Sequence, residues 1–352
     1  MRKPTLHDVA RVAGVSYATA DRVLNARGGV AEKSARRVRQ AIAELGYERD
    51  LHAANLSRGR VYRFTFILPR GDHSFFHALR EAVEAQEAPC RADRISLAVQ
   101  EVPALDPPAL AAALRAIPDA TDCVAVVATE APEIAAALAE LRARGLPVVT
   151  LVGDAAPDLR AAYAGIDNRM AGRTAARLLA LAHSGRQGRI LPVLGSFQAR
   201  DHRERHEGAA EVLTTAPALQ LLPAIEVQDQ PALMRARLAE ALAAPGGVSG
   251  IYSIGAGNRG LIEVLEGLKT PRPVAVLHEL TPVSRAGLER GLIDAVIDQK
   301  PAEEVALAIA AMKALADGRR PEEATRAIVP AIYLRENLPQ DAPANGPEGG
   351  TP

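Results

Sequence analysis

The chain has 352 residues, a length that exceeds one small domain and predicts two or three folded units. Hydrophobic residues make up 48% of the chain and charged residues 24%, values typical of a soluble globular protein. Two cysteines, Cys90 and Cys123, are too few for a disulfide framework, so we expect buried thiols in a reducing compartment. The start MRKPTLHDVA lacks the apolar segment of an export signal, and no apolar run reaches membrane-spanning length, so a cytoplasmic protein is expected.

Charge is distributed unevenly along the chain, although the formal net charge is zero. Residues 1–60 contain 12 Lys and Arg against 6 Asp and Glu, a net charge of +6, so the remainder carries −6. A small basic segment ahead of an acidic body indicates a polyanionic partner for that segment alone.

Three short helices are predicted in this basic segment. Thr5 and Asp8 fit the capping-box pattern at the start of the first helix, and Gly14 is expected to end it. Ser16 is predicted to cap a second helix through Leu24, and a third runs from about residue 32 to 45 with Gly46 as its stop. The apolar face of the first helix is predicted to comprise Val9, Ala10 and Val12. The exposed face of the third is predicted to carry Lys33, Arg36, Arg37 and Arg39.

Two short helices joined by a glycine-containing turn and braced by a third predict a helix-turn-helix. The second helix would then enter the major groove, where Arg22 can bind a guanine edge or a phosphate and Tyr17 offers a hydroxyl and a ring. Asn25, Arg27 and the basic face of the third helix are better placed to contact phosphates. The alternative is a solvated helical bundle whose charges have no partner.

The stretch TLHDVARVAGVSYATADRVLNARGGVAEKSARRVRQAIAELGY, residues 5–47, resembles the DNA-binding domain of the LacI/GalR family of bacterial repressors. Asp21 stands where that family usually has Ser, and a carboxylate there either repels a nearby phosphate or orients Arg22. The resemblance implies a hinge helix at residues 49–61 that orders on DNA and inserts a leucine between base steps. The DNA contacts it implies are Thr5, Ser16, Tyr17, Ala18, Thr19, Arg22, Asn25, Arg27 and Leu56.

Apolar runs alternate with Ala-rich helical stretches from residue 62 onward. This alternation predicts α/β units with parallel sheets, and so many units predict two lobes. The candidate strands are residues 62–68, 95–102, 123–129, 146–152, 189–194, 249–254, 272–279 and 292–297. The body also resembles LacI/GalR regulators and ribose-type periplasmic sugar-binding proteins as far as about Arg335, which implies two doubly wound lobes with a ligand clamped between them.

Several unusual residues follow the predicted strands, where ligands bind in open α/β sheets. Phe75 and Phe76 are two of only 11 aromatic residues, and they either stack on a sugar ring or pack in the core. Asp167 and Asn168 are interpreted mainly as caps for the following helix. Val152 and Gly153 replace the Arg or Asp of ribose binders, which argues against ribose. The effector contacts that the resemblance implies are His73, Phe75, Phe76, Asp167, Arg205, Asn258, Glu279 and Gln299.

Two motifs suggest other chemistry. GAGNRG, residues 255–260, is a literal GxGxxG, but it comes late in the chain, whereas a dinucleotide site normally uses the first strand of its domain. His202 and His206 are four residues apart and could share a metal, although the neighbouring arginines would repel a cation. No nucleophile–base grouping is apparent, so neither a cofactor, a metal nor an enzymatic activity is predicted.

Taken together, the sequence predicts a ligand-responsive transcriptional regulator, commonly a repressor, that binds a near-palindromic operator as a homodimer. The effector is expected to be a sugar, polyol or related hydroxyl-rich molecule. The predicted domains are residues 1–48 (helix-turn-helix), 49–61 (hinge), 62–335 (two-lobed effector-binding and dimerisation body) and 336–352 (a Pro- and Gly-rich disordered tail). The alternative is a solute-binding protein of the periplasmic type with no regulatory role.

Overall fold

The computed structural model describes residues 4–24, 28–47, 61–71, 74–255, 257–269, 271–323 and 327–340. The chain divides into two compact units, Met1–Val61 and Tyr62–Pro352. Four of the predicted contacts, Asn25, Arg27, Leu56 and His73, lie outside the described residues, as do residues 341–352 of the predicted tail.

The first unit contains three helices, α1 (Leu6–Ala13), α2 (Tyr17–Leu24) and α3 (Glu32–Leu45). The Thr5–Asp8 capping box begins α1, and Gly14 and Gly46 end α1 and α3 in the left-handed conformation, as predicted. The prediction for Val12 is wrong, because its side chain is 42% exposed and Ala13 faces the core instead. The buried residues of this core cluster are Val9, Ala10, Ala13, Ala20, Val38 and Ala41.

The second unit begins with a lobe built on a five-stranded parallel sheet, which we call the N-lobe. Its strands are β1 (Tyr62–Arg70), β2 (Ile95–Pro103), β3 (Cys123–Val126), β4 (Val148–Leu151) and β5 (Ala162–Ala164), in the order β2-β1-β3-β4-β5. Its helices are α4 (Ser74–Ala85), α5 (Glu87–Ala92), α6 (Pro107–Arg115) and α7 (Pro132–Ala143). Continuous apolar strands such as β3 and β4 are buried on both faces, as parallel sheets require.

The second lobe, the C-lobe, has a seven-stranded sheet in the order β12-β11-β10-β9-β6-β7, with β8 paired to β6. Its strands are β6 (Gly188–Leu194), β7 (Leu219–Leu221), β8 (Ile225–Glu226), β9 (Gly250–Ser253), β10 (Val274–His278), β11 (Ala295–Asp298) and the antiparallel β12 (Ala331–Tyr333). The helices that follow the crossover into this lobe are α8 (Asn168–His183), α9 (Arg200–Leu213), α10 (Pro231–Ala243), α11 (Asn258–Glu266), α12 (Pro282–Glu289) and α13 (Pro301–Ala316).

All eight predicted strands are present, each within three residues of its expected start. The four that the sequence analysis missed, β5, β7, β8 and β12, have two or three residues each, too few to show a periodic pattern. The expected disorder past Arg335 is wrong for residues 336–340. A short helical turn forms there, Leu338 packs against the C-lobe core, and Arg285 Nη2 donates to the Pro339 carbonyl at 2.5 Å.

The chain crosses between the lobes near the cleft. It passes from β5 into α8, returns after β11 into α13, and a parallel bridge joins Ile166 to Ile328 where two crossing segments lie side by side. Helix α13 packs on the N-lobe sheet, since Val305 and Met312 belong to the core cluster of β1, β3 and β4. The two lobes are therefore connected by crossing segments that pair with one another and by a helix that packs across from the C-lobe.

Two glycines allow α8 and α9 to approach closely. A Cβ added to Gly172 would lie 1.9 Å from the Arg205 carbonyl oxygen, and one added to Gly208 would lie 2.1 Å from the Arg169 carbonyl oxygen. The absence of both Cβ atoms therefore permits close packing of the two helices. The close approach sets the depth at which Arg205 enters the lobe. In the described part of the chain, no helix is both long and apolar enough to cross a bilayer.

Candidate functional site

The exposed face of α2 is the first candidate surface. Tyr17, Ala18 and Arg22 are exposed, and the Tyr17 ring lies 4.5 Å from the His7 ring, a contact that the sequence analysis missed. Ser16 and Thr19 form a capping pair, because the Thr19 amide donates to Ser16 Oγ at 3.1 Å. The helix-turn-helix geometry therefore leaves a tyrosine and an arginine projecting from its second helix.

Thr5 serves its own helix. Its hydroxyl donates to Asp8 Oδ2 at 2.7 Å, and the Asp8 amide donates back to Thr5 Oγ1 at 3.3 Å. These Thr5 hydrogen bonds, together with Arg11, lower the pKa of the Asp8 carboxyl. A charged carboxylate at the first turn also favours the positive end of the helix dipole.

The basic face of α3 is exposed, as predicted. Arg37 Nη2 donates to the Gly14 carbonyl at 3.2 Å, and Arg39 pairs with Glu32 at 3.3 Å. Arg37 therefore braces the turn between α1 and α2, while Lys33 and Arg36 are also exposed on this helix.

The second candidate site is a cavity of about 70 Å³ between the two lobes. It lies beyond the carboxyl ends of β1 and β4 in the N-lobe and of β9 and β10 in the C-lobe, where open α/β sheets bind ligands. It continues into a wider cavity of about 800 Å³, since Phe76, Ala104 and Asp229 line both.

The two walls of the smaller cavity differ in chemistry. The N-lobe wall is mostly apolar, formed by Pro69, Phe75, Phe76, Val102, Leu105, Leu110, Val127, Ala128 and Val152. The C-lobe wall contributes Asp201, His202, Asp229 and Glu279. Phe75 is 3% exposed and belongs to the N-lobe core, whereas Phe76 is half-buried. Phe75 therefore packs in the core, and both rings also line the cavity, while stacking on a sugar ring stays a prediction.

Several residues lining the cavity have left-handed backbone conformations. Val152, Asp229, Gly255 and Glu279 have φ angles of 63°, 56°, 126° and 74°. A β-branched valine in this region is rare, and such strain concentrates at functional sites because the surrounding fold must enforce it. The absence of a side chain at Gly255 leaves room for the neighbouring polar groups, since an added Cβ would lie 3.2 Å from Glu279 Oε1 and 3.3 Å from Arg205 Nη1.

Arg205 is the centre of the polar network behind the C-lobe wall. Its side chain is fully buried, with Nε donating to Asn168 Oδ1 at 2.8 Å, Nη1 to the Ile254 carbonyl at 3.1 Å and Nη2 to Gln299 Oε1 at 3.0 Å. Gln299 Nε2 in turn donates to Glu279 Oε1 at 3.4 Å. The structure thus brings three of the predicted effector residues, Arg205, Glu279 and Gln299, into one cluster.

Asn168 has a different role from the one predicted. It is 2% exposed, and its Nδ2 donates to the Tyr163 hydroxyl at 3.2 Å, so it does not cap α8 with its side chain. Asp167 is the cap instead, accepting from the Met170 amide at 2.8 Å, and it is exposed away from the cavity lining. Tyr163 then donates to the carbonyl of Val152 at 2.9 Å. The network therefore reaches from Glu279 to the N-lobe wall.

Asn258 lines the wider cavity rather than the smaller one. Its Oδ1 accepts from Ser253 Oγ at 2.6 Å and its Nδ2 donates to the His278 carbonyl at 3.2 Å, so its amide joins β9 to β10. The predicted position is thus next to the cleft, with the amide committed to the fold.

Burial changes the protonation of several groups beneath the cleft. Desolvation raises the pKa of Glu304 well above its usual range, and neighbouring carboxylates of Asp298, Glu279 and Asp201 raise it further against the effect of Arg205. Desolvation also lowers the pKa of His278 well below its usual value, and its Nε2 lies 2.8 Å from the Tyr252 hydroxyl. Burial therefore favours the neutral acid at Glu304 and the neutral imidazole at His278.

Several cavity residues were not predicted from the sequence. Asp201 and His202 lie one turn before Arg205 on α9, so helical spacing places Asp201 on the same face as Arg205, at i and i+4. Asp106 precedes two prolines and caps α6, a pattern that indicates a helix start and no binding site, and Asp229 follows the two-residue β8, which shows no periodic pattern. Spacing alone could have identified the first pair, but not the second.

The two competing motifs have structural explanations. Gly260, the last glycine of GAGNRG, allows α11 to approach α10, because an added Cβ would lie 2.3 Å from the Pro231 carbonyl oxygen. His206 stacks edge-on against Phe197 at 5.3 Å, whereas His202 lines the cavity. Among the described residues, no group of three or more metal-binding side chains could hold a metal ion.

Residues 5–50 match the family described as bacterial regulatory proteins of the lacI family, and residues 64–320 match the family described as the periplasmic binding protein domain. The sucrose operon repressor of Vibrio alginolyticus is 58% identical over 43 residues, covering 12% of this chain and 46% of that protein. The HTH-type transcriptional regulator DegA of Bacillus subtilis (strain 168) is 33% identical over 82 residues, covering 23% and 24%.

The chain therefore spans a quarter to a half of the length of these curated relatives. Among solved structures, GanP, a glucose-galactose binding protein from Geobacillus stearothermophilus, superimposes with a TM-score of 0.72 at 19% identity, covering 80% of this chain and 100% of that one. At this level of identity the likeness shows the fold of the two-lobed body.

Proposed function

The chain belongs to the periplasmic binding protein domain family and begins with a regulatory domain of the lacI family, and on this premise we propose that it is a ligand-responsive transcriptional regulator. Its affinity for operator DNA is set by a hydroxyl-rich effector, such as a sugar or polyol, in the interlobe cavity. The observation that carries the proposal is the combination, in one chain, of a helix-turn-helix and a two-lobed body with a cavity at the carboxyl ends of both sheets.

The DNA-binding part of the proposal assigns α2 to the major groove. Arg22 would read a base edge and Tyr17 would contact the backbone or a base, with Lys33 and Arg36 of α3 at phosphates. Asn25, Arg27 and the hinge residue Leu56 are included as sequence-based assignments. We propose domain limits of 1–48, 49–61, 62–335 and 336–352, with a homodimer placing one head in each half-site.

The effector-binding part of the proposal uses both cavity walls. Phe76 and the edge of Phe75 would stack on the apolar face of a ring, and Glu279 would accept hydrogen bonds from hydroxyl groups. Arg205 and Gln299 would hold Glu279 in position. His73, Asp167 and Asn258 are retained as proposed contacts from the sequence. Such a protein acts in the cytoplasm at the nucleoid, away from membranes, and needs no catalytic group, metal or cofactor.

Arg22→Ala tests the first part. Purified chain is incubated with fragmented genomic DNA, the bound fragments are recovered, and the affinity for the recovered site is compared with that for random duplex. Loss of one base-reading arginine should reduce selectivity about tenfold to a hundredfold. Arg11→Ala, which removes another exposed positive charge, this one from α1, should leave the selectivity ratio unchanged. Equal effects of both variants would remove the base-reading assignment.

The alternative is a solute-binding protein, which is favoured by the likeness of the body to GanP. The same purified chain is titrated with D-glucose, D-galactose and sucrose while its thermal unfolding is followed, because a bound ligand raises the melting temperature by mass action. Sugar binding combined with no preference for any genomic fragment would favour this alternative.

A further inference from the structure

One side of the cleft is closed by direct contacts between the lobes. The Glu130 amide, in the N-lobe loop after β3, donates to the Gln198 carbonyl at 3.3 Å, immediately before α9 of the C-lobe. Arg203 Nη2 of α9 donates to Glu130 Oε2 at 2.7 Å, and Arg200 Nη1 donates to the Ala155 carbonyl after β4 at 3.1 Å. Backbone and side-chain contacts thus join the start of α9 to the loop after β3, and Arg200 joins it to the loop after β4 as well.

The two arginines are held in place by their own lobe. Arg203 Nη1 donates to the Phe197 carbonyl at 3.3 Å, and Arg200 Nε pairs with Glu204 at 2.7 Å. Arg200 also lies 3.8 Å from Glu130. Side chains oriented in advance lose less entropy when they pair across the cleft, so these contacts favour a closed arrangement more than isolated surface pairs would.

The other side of the cleft is open. The smaller cavity is bounded near these contacts by Ala128, Thr129 and Ala199, and it widens past Phe76 and Asp229 into the cavity of about 800 Å³. There the N-lobe residues Ser74 and His77 and the C-lobe residues Pro231, Arg259 and Val283 line an open space between the lobes.

We propose that Glu130, Ala155, Gln198, Arg200 and Arg203 form an interlobe latch that holds one side of the cleft closed. A ligand then reaches the smaller cavity through the wider one, and releasing the latch allows the lobes to separate on both sides. The latch is a property of the body alone, and it goes beyond the proposed function because it requires neither DNA nor an identified effector.

The test measures the distance between the lobes in the full chain. One spin label is placed on α7 through Ala143→Cys and one on α10 through Ala239→Cys, both exposed positions on helices of different lobes. The native Cys90 and Cys123 are buried, and labelling of the chain without added cysteines checks that they do not react. Distance distributions are recorded by pulsed electron paramagnetic resonance without ligand.

The labelled chain with an intact latch should give one dominant distance between the two spin labels. Glu130→Gln or Arg203→Gln should raise the ratio of separated to closed molecules about fivefold. The double variant should add little to either single change, because both remove the same pair. The control is Arg235→Gln, which breaks a pair with Glu263 of 2.6 Å and similar exposure inside the C-lobe, and it should leave the distribution unchanged.

Three results would overturn the latch. These are an original chain already dominated by the separated arrangement, distributions unchanged in both single variants, or an equal change with Arg235→Gln. Thermal unfolding of each variant establishes that it is folded. Because neither DNA nor sugar is present, failure of the latch leaves the regulator proposal untouched, and failure of genomic DNA selection leaves the latch untouched.

Discussion

The two walls of the cleft are built by opposite means. The N-lobe wall is an extension of the hydrophobic core, and Phe75 belongs to the same buried cluster as Phe64 and Leu79. The C-lobe wall is the outer layer of a polar network centred on Arg205, with buried carboxyl groups on several elements. The same overall lobe architecture thus provides shape on one side of the cavity and hydrogen-bonding chemistry on the other.

This difference bears on stability as well as on binding. Apolar contacts are non-directional, so the N-lobe wall tolerates small shifts at modest cost. Buried charges require partners in correct geometry, so the C-lobe wall has few acceptable arrangements. The C-lobe network therefore defines the closed geometry more sharply, and Tyr163 and Asn168 extend it to the Val152 backbone of the other lobe.

The largest effect is expected from Arg205→Met. Removing the guanidinium leaves Asn168, Gln299 and the Ile254 carbonyl without their donor and the buried carboxylates without a counter-charge, which should cost about 3–5 kcal/mol in the free energy of unfolding. Urea denaturation of the full chain measures it. Arg235→Met, at an exposed pair of the same lobe, should cost about 1 kcal/mol or less. A similar loss in both variants would contradict a network that stabilises the C-lobe wall.

A smaller effect is expected when the N-lobe wall is truncated. Phe75→Ala should lower the free energy of unfolding by about 3 kcal/mol, since its ring is buried in the core. Phe76→Ala should lower it by about 1 kcal/mol, because only part of that ring leaves water on folding. Urea denaturation measures both. Equal losses of free energy in the two variants would contradict the deeper burial of the Phe75 ring in the core.

The smallest effect concerns Glu304, whose pKa is raised in the folded protein. A glutamate titrates near pH 4.3 when unfolded, so the folded state binds the extra proton above that pH. The stability associated with this proton is fully present below the unfolded pKa and is lost as the pH rises through the folded pKa. Glu304→Gln places a neutral side chain of the same shape at this position at every pH. The free energy of unfolding of the variant should therefore rise relative to that of the original chain as the pH increases.

Urea denaturation between pH 4 and pH 8 measures this difference. Glu303→Gln, at the exposed neighbour on α13, is the control and should run parallel to the original chain. If Glu304→Gln also runs parallel, the carboxyl group is charged in the folded protein and the neutral acid beneath the cleft is wrong.

Much of the fold could be predicted from local sequence. The capping box at Thr5, the glycine stops at Gly14 and Gly46 and the eight strands of four or more residues each depend on neighbouring residues, and all were confirmed. Val12 failed because a helical pattern of eight residues does not decide which of two adjacent apolar side chains faces the core. The shortest strands failed because their pairing is decided by the rest of the sheet.

The candidate site was predictable only in part. The resemblance to a family indicated Arg205, Glu279 and Gln299, which the structure brings together, and Asp167, which it places away from the cavity. Asp229, Val152 and the structural use of Asn168 depend on backbone turns and on contacts between elements far apart in the chain. The assignment of Arg205, Glu279, Gln299 and Asp167 as effector contacts remains a prediction.

By itself, the sequence determined the helix caps, the alternation of strands and helices and the basic character of the first 60 residues, because each depends on side chains within a few positions of one another. Only the tertiary structure decided which carboxyl groups surround Arg205, which wall of the cleft is apolar and which side of it is held closed. Those properties depend on residues more than 30 positions apart, and their separation is set by how helices and sheets pack.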